Sequence, residues 1–253
     1  MNRDPDDKLF AAKLGDIVSR SERDGICRFS NFLDERQCAE AERWCLNNTG
    51  GLRYMLYGGY QNAARRMLAV FPDYCEDYIT EEFPIKCLTF TFRKEDRLSH
   101  RDFLGSFMGM RLKREVIGDI IIAEGIAQTF VTEIAAKLIM SSVSKIGRTG
   151  VKISDSEPFR IESKQEFEEI GTTVASLRLD CVVSAAAKLS REKAAGLIKS
   201  ENVAVNYFPI TSVSHELHEK DIFSVRGSGK FILSKINGIS KKGRIHIILR
   251  KYK

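Results

Sequence analysis

The feature that most constrains the fold is an alternation of strand-like and helix-like segments between residues 85 and 154. The run I-K-C-L-T-F-T-F-R over Ile85–Arg93 is rich in aromatic and β-branched residues, which favours a strand. Ser99 can cap a helix whose apolar residues recur at helical spacing. Two more strands, a second amphipathic helix and a closing strand follow at Gly118–Ala123, Ile126–Val131, Glu133–Val143 and Val151–Ser154. The order β-α-β-β-α-β predicts the split βαβ arrangement.

We therefore predict an α+β protein of three parts. Residues 1–80 form an N-terminal α/β unit, residues 81–160 form a βαββαβ domain of RRM-like or ferredoxin-like topology, and residues 176–253 form a C-terminal domain. A composition of 43% hydrophobic and 29% charged residues is enough for a packed core and argues against disorder. Further elements are expected at residues 8–30 (helical), Arg36–Asn47 (helix), Leu52–Tyr57, Met67–Phe71 and Phe167–Ala175 (strands).

Positive charge is concentrated in the last third of the chain. Residues 176–253 contain fifteen Lys or Arg and six Asp or Glu, whereas the other 175 residues hold twenty-five basic and twenty-eight acidic ones. No acidic residue follows Asp221. Such one-sided charge repels itself unless a polyanion lies opposite it. We therefore predict a nucleic-acid partner, and RNA in particular.

Several other classes of protein are disfavoured by what the sequence lacks. No stretch approaches the ~20 apolar residues of a spanning helix, and the first residues have no apolar signal core, so we expect no membrane partner. The six cysteines are scattered without a C-x-x-C pair, which favours reduced thiols in a cytoplasmic protein. His215-x-x-His218 has no matching ligand cluster, and no nucleotide-binding glycine motif is present. We expect no metal and no cofactor.

The C-terminal domain carries the pattern that points to RNA. Two helical stretches are predicted, one over about Leu179–Ala187 and one capped by Ser190, and their basic residues can share an outer face. Glycines at 227 and 229 allow the backbone to approach a phosphate closely, and Arg226 and Lys230 supply charge beside them.

The motifs R-L-D, L-S-R-x-x-A-x-x-L-I, V-x-V-N and D-x-x-S-V-R-G-x-G-K-F occur in this order over Leu177–Leu233. They resemble the RNA-binding module of the small-subunit ribosomal protein S-four type, the alpha-L motif. The chain departs from that pattern at Glu201-Asn202, where a basic residue and a glycine are usual, and at Tyr207, where a glycine is usual.

Four further segments extend the resemblance over nearly the whole chain: Y-G-G-Y-x-x-A-x-R, H-R-D-F-L-G-x-x-M-G, K-R-E-x-I-G-D-I-I and S-K-K-G-R. They resemble the YlmH family of bacterial proteins. That resemblance implies a non-enzymatic protein that binds tRNA and ribosomal RNA on a large ribosomal subunit with stranded peptidyl-tRNA, in ribosome-associated quality control. We expect it to act as a monomer.

The residues expected to contact RNA are Arg178, Lys188, Ser190, Arg191, Lys193, Lys199, Asn206, Arg226, Lys230, Lys241, Lys242 and Arg244. A possible second RNA surface comprises His100, Arg101, Lys113 and Arg114. The aromatic residues Phe90 and Phe92 could stack bases on a sheet face or be buried beneath it.

Two alternatives remain open at this stage. One is an RNA-modifying enzyme, because Asp180 lies in an R-L-D segment that resembles the catalytic stretch of pseudouridine synthases. However, Leu177 replaces the glycine usual there, so a structural role at a helix start is favoured for Asp180. The other is a cell-division adaptor that binds a protein partner.

Overall fold

The computed structural model describes residues 5–76, 78–161, 166–240 and 243–252. The chain divides into two compact units, residues 1–163 and 164–253. The predicted α+β class is confirmed, since each unit combines helices with antiparallel sheets. Residues 1–80 and 81–160, predicted as separate domains, lie within the same compact unit.

The first part of unit 1 is a three-stranded sheet covered by helices. Its strands follow the order β1-β3-β2 and are antiparallel throughout. A 3-10 turn at Asp73–Cys75 leads from it to a short helix. The bounds are α1 Pro5–Asp24, β1 Arg28–Leu33, α2 Glu35–Asn48, β2 Arg53–Tyr57, β3 Arg66–Phe71 and α3 Ile79–Glu82.

Local signals place α2 correctly but leave β1 unseen. Asp34 and Gln37 form a capping box, in which the Asp34 carboxylate accepts from the Gln37 amide at 2.8 Å. By contrast, the helical segment expected over 8–30 stops at Asp24, followed by Gly25 with φ +65°. Strand β1 begins within that segment at Arg28 and continues to Leu33, and its pairing with β3 shifts register between Phe29 and Phe32.

The second part of unit 1 follows the predicted βαββαβ order. Its sheet order is β5-β6-β4-β9, with antiparallel neighbours, so each helix connects strands that are not adjacent. A small hairpin, β7–β8, is inserted before the last strand. The bounds are β4 Ile85–Thr91, α4 His100–Gly109, β5 Ile117–Ala123, β6 Ile126–Thr132, α5 Glu133–Ser142, β7 Lys145–Ile146, β8 Thr149–Gly150 and β9 Lys152–Ser154.

A shared apolar core joins the two parts of unit 1. Phe32 and Met67 of the first sheet are buried in one cluster with Phe83 and with Phe130 of the second sheet. Gly59 lies against the Phe130 ring so closely that a Cβ there would be 2.3 Å from the ring. This interlocking explains why no compact unit ends near residue 80.

Unit 2 is a six-stranded antiparallel sheet with two helices on one face. The strand order is β10-β15-β14-β13-β11-β12, so the last strand pairs with the first. The strand β15 was not predicted, although it pairs along its length with both β10 and β14. The bounds are β10 Phe167–Val174, α6 Leu179–Ala186, α7 Arg191–Lys199, β11 Val203–Val205, β12 Phe208–Pro209, β13 Ile222–Val225, β14 Gly229–Ile239 and β15 Ile245–Tyr252.

The core of unit 2 lies between this sheet and its helices. Helix residues such as Val182 and Ile198 are buried in one cluster with the strand residues Phe223, Phe231 and Leu249. Because side chains alternate across a strand, the intervening residues of β14 and β15 lie on the opposite, outer face of the sheet.

Over the described part of the chain, none of the helices combines the length and apolar character that membrane crossing requires.

Candidate nucleic-acid interface

The helix–turn–helix of unit 2 is built by local signals that the sequence already carries. The Ser190 hydroxyl accepts a hydrogen bond from the Lys193 amide at 3.2 Å and so caps α7. Between the helices, Lys188 adopts φ +54°, which turns the chain sharply. Ser190 therefore has a structural function, and RNA contact by its hydroxyl stays a prediction.

Asp180 ties two of the predicted RNA-binding arginines together. Its carboxylate accepts hydrogen bonds from Arg178 Nε at 3.2 Å and from Arg191 Nη2 at 2.6 Å. The Asp180 side chain is 8% exposed, whereas those of Arg178 and Arg191 are 43% and 60% exposed. Burial alone would raise the pKa of Asp180, but the hydrogen bonds and the positive charges of Arg191 and Arg178 together lower that pKa. The pair of guanidinium groups is thus held at the surface by a buried anion.

Replacing Asp180 by alanine is expected to lower the free energy of unfolding by about 2 kcal/mol at neutral pH, because two charge-assisted hydrogen bonds are lost. The folded-state pKa of Asp180 is lowered, so its contribution is present above the unfolded pKa and is lost as pH falls through the folded pKa. The difference between wild type and variant should therefore shrink in acid. Urea unfolding across a pH series measures both effects.

Glu192 offers a matched control, since it is an exposed carboxylate in the first turn of α7. Glu192→Ala should cost no more than about 1 kcal/mol, the scale of a helix-terminus charge effect. Equal destabilisation by the two substitutions would contradict the structural role of Asp180.

The lysines of this region are exposed. Lys188, Lys193 and Lys199 are all solvent-accessible, and none pairs with a carboxylate among the residues that the structure describes. A helix turns by about 100° per residue, so Lys193 and Lys199 lie about 120° apart around α7. The basic side chains of α7 therefore spread around its exposed side instead of forming one narrow stripe. Such a surface fits phosphates of structured RNA.

The Asn206 side chain is exposed, but it is hydrogen-bonded to other residues of the protein. Its amide nitrogen donates to Asp221 Oδ1 at 2.8 Å, and its amide oxygen accepts from the Ile222 backbone at 3.0 Å. These bonds fix the β11–β12 turn to the start of β13. The side chain therefore has a structural function, and RNA contact by Asn206 stays a prediction.

The glycine-rich segment forms the tight turn between β13 and β14. Gly227 and Gly229 have φ values of +81° and +116°, where a side chain would be strained. The Arg226 guanidinium donates a hydrogen bond to Asn202 Oδ1 at 3.3 Å, which holds the guanidinium beside the loop that precedes β11. Together with Ser224 and Lys230, these residues line a shallow surface depression. The turn thus combines backbone freedom with positive charge, and phosphate contact by Arg226 and Lys230 stays a prediction.

The C-terminal basic residues differ in their surroundings. Arg244 donates from Nε and Nη2 to Thr173, at 3.1 Å to the hydroxyl and 2.7 Å to the carbonyl oxygen, and so holds the end of β10. Lys241 and Lys242 lie outside the described residues. RNA contact by these three residues stays a prediction.

The second predicted surface is less uniformly cationic than its sequence suggests. Arg101 is exposed, and Lys113 is exposed with Glu115 at 3.9 Å. Burial of the ring, followed by the charge of Arg114, lowers the pKa of His100 despite nearby Asp119. The lowered pKa favours the neutral imidazole, so His100 contributes less positive charge than its place in the predicted set implies.

Arg114 is partly buried and serves the fold. Its guanidinium donates to the carbonyl oxygens of Ile117 and Gly118, at 2.5 and 3.2 Å. Burial, and then the neighbouring charge of Arg65, lower its pKa to about 10. Arg65 in turn donates to the carbonyl oxygens of Phe32, Ile117 and Arg114.

Sequence reasoning missed the role of Asp119, which organises this region. Its carboxylate accepts hydrogen bonds from Tyr60 Oη, the Ala64 amide and the Arg65 amide, at 2.8, 2.7 and 3.1 Å. The Y-G-G-Y-x-x-A-x-R segment is thereby fixed to the G-D segment of β5. The two motifs were visible in the sequence, but not their contact, because more than fifty residues separate them.

Of the two aromatic residues that could stack bases on the middle sheet, Phe90 is excluded by its burial. Phe90 is fully buried and packs edge-on against Phe103, at 5.3 Å between ring centroids. It belongs to the core and presents no surface to a base.

For metals, no group of three or more His, Cys, Asp or Glu side chains suited to an ion occurs among the described residues.

Comparison with known proteins gives three findings. Residues 79–159 match the family model described as "Putative RNA-binding domain in YlmH". The Bacillus subtilis (strain 168) protein named ribosome-associated protein quality control protein P2 is 30% identical over 230 residues, which span 89% of this chain and 88% of that relative. The solved structure of cell division protein ylmH from Streptococcus pneumoniae is similar with a TM-score of 0.53 and 18% identity, over 62% of this chain and 94% of that one. At this identity the structural similarity supports the fold alone.

Proposed function

Because this chain belongs to the YlmH family, we propose that it is a non-enzymatic RNA-binding protein of ribosome-associated quality control. It binds tRNA and ribosomal RNA together on a large ribosomal subunit that holds a stalled peptidyl-tRNA. It acts as a cytoplasmic monomer. The name of the Bacillus subtilis relative and the RNA-binding description of the matched family model support this assignment.

The observation that carries the proposal is the basic helical surface of unit 2. Lysines 188, 193 and 199 are exposed, and two arginines are held beside them by the buried Asp180. A pre-ordered guanidinium group loses less conformational freedom on meeting a phosphate than a mobile one does. We assign residues 176–253 to an S-four-type RNA-binding module on this basis and on its motif order.

The surroundings of Asp180 favour binding over catalysis. Its carboxylate oxygens accept hydrogen bonds from Arg178 and Arg191 and the residue is buried, so it serves to position arginines. The matched domain at residues 79–159 supplies a second contact surface, at which Arg101 and Lys113 are the exposed cations of the predicted set.

The test is sedimentation of a cell lysate on a sucrose gradient, with and without RNase, followed by detection of this protein. We expect co-migration with free large subunits enriched for peptidyl-tRNA, and return of the protein to the top of the gradient after RNase. A protein that stays at the top without RNase would contradict the ribosomal role.

A further inference from the structure

The outer face of the unit 2 sheet, opposite the helices, carries a row of aromatic and basic side chains. Phe167 of β10 and Tyr252 of β15 are direct neighbours, with ring centroids 5.0 Å apart. On the next strand, Lys230 places its ammonium 4.7 Å from the centre of the Tyr252 ring and 4.9 Å from the centre of the Tyr207 ring. One positive charge therefore lies near two tyrosine rings at the surface.

Tyr207 adopts an unfavourable backbone conformation to hold this position. Asn206 and Tyr207 form the two-residue connection between β11 and β12, with φ values of +47° and +71°. Turns with positive φ at both positions favour Asn-Gly, because glycine alone adopts the second position without strain. A tyrosine there costs about 1 kcal/mol or more. Glycine would remove this backbone strain, so the conformation of the turn does not account for an aromatic ring at this position.

The surface depression beside the glycine-rich turn adjoins Tyr207 and Tyr252 through Lys230. Lys230 belongs to both, since it also lines the depression with Ser224, Arg226 and the two glycines. One carboxylate, Glu201, stands among the lining residues. The combination offers a phosphate two cations and close backbone approach, and the Tyr207 ring lies 4.9 Å from the ammonium of one of these cations, Lys230.

We propose that this outer face takes one unpaired nucleotide of the bound RNA, with its phosphate beside Arg226 and Lys230 and its base stacked at Tyr207. The inference rests on the proposed RNA-binding function and adds to it the kind of RNA recognised. A base stacked there contacts an aromatic ring and lies near the ammonium of Lys230. The helical surface grips phosphates whether or not bases are paired, whereas the outer face distinguishes an unpaired base from a paired one.

The experiment compares two RNA hairpins that differ only by one unpaired adenosine in the stem, with affinities measured by fluorescence anisotropy. Wild type should prefer the hairpin with the unpaired base by about tenfold, the effect of one base–aromatic stack. Tyr207→Gly should abolish this preference while leaving the free energy of unfolding unchanged or higher. Tyr207→Phe, which keeps the ring, should retain the preference.

The outcomes separate the two proposals. If Tyr207→Gly shows the wild-type preference, or wild type shows no preference, the outer-face site is refuted while RNA binding stands. If wild type binds neither hairpin nor large subunits, the proposed function fails, and the inference fails with it. If the Tyr207 ring serves only to pack against Lys230, Tyr207→Gly should lower the free energy of unfolding and leave the ratio of the two RNA affinities unchanged. That result would also refute the site.

Discussion

Reversing the charge of Lys193 and Lys199 together, by Lys→Glu substitutions, is expected to lower RNA affinity at least about thirtyfold at physiological salt. Each lost phosphate contact forfeits the release of about one counterion, worth about fivefold there, and the new carboxylates add repulsion. About six contacts give wild type a log–log salt slope of roughly −4 to −5, and the variant should be flatter by about 2. Salt titrations of RNA binding measure both quantities.

Reversal of Lys8 and Lys13, two exposed lysines of α1, is the matched control and should leave RNA affinity within about twofold of wild type. Arg191 is left unchanged in the test variant, because a glutamate there would face the buried Asp180 carboxylate and destabilise the module. An equal loss of affinity in both pairs would show a general charge effect and contradict a specific helical surface.

Replacing Gly59 by alanine is expected to lower the free energy of unfolding of unit 1 by about 4 kcal/mol. The backbone has φ +97°, a region that residues with a Cβ rarely adopt, and the added Cβ would lie 2.3 Å from the Phe130 ring. Phe130 is 2% exposed in a shared core, so the ring cannot yield without disturbing both sheets.

Trp44 makes this measurement specific to unit 1. It is the sole tryptophan of the chain and packs against the core of the first sheet, so its fluorescence during urea unfolding reports on that unit. Gly51→Ala provides the control, because a Cβ there meets nothing within 4 Å, and its cost should stay below about 0.5 kcal/mol. A Gly59→Ala variant as stable as the control would show that the two sheets of unit 1 are not locked together at this contact.

The middle of the chain was predicted well because its signals are local. Ile85–Thr91 has a continuous strand-forming composition, and His100–Gly109 begins at a Ser99–Asp102 capping box. Strand β1 was missed because its sequence R-F-S-N-F-L has polar residues at its centre and its pairing is irregular. Strand β15 was missed because basic residues flank its short apolar run and because its pairing with β10 joins residues more than seventy positions apart.

In the candidate RNA-binding site, too, some features follow from local sequence and others depend on tertiary contacts. The charge pattern predicted that Lys188, Lys193 and Lys199 lie on the surface. The spacing of the glycines predicted that the backbone of the turn beside Arg226 can approach a phosphate closely. The same charge count could not reveal that Arg178 and Arg191 share one buried carboxylate. For Arg114, the sequence showed a cation, but its contacts with backbone carbonyls follow only from how β5 packs.

The sequence by itself determined the order of elements in the middle domain, the helix pair with its Ser190 cap on the second helix, the positive charge of the last third and the family. These depend on composition and on spacing within about a dozen residues, where backbone geometry leaves few choices. Only the tertiary structure decided that the first two predicted domains share a core and that the last strand pairs with β10. It also decided that Asp119 fixes Arg65, 54 residues away, and that Asp180 is buried against Arg178 and Arg191. No local sequence pattern encodes these contacts, because they join groups that are far apart along the chain or become buried only in the folded protein. Their contribution to stability arises only when solvent is excluded around them.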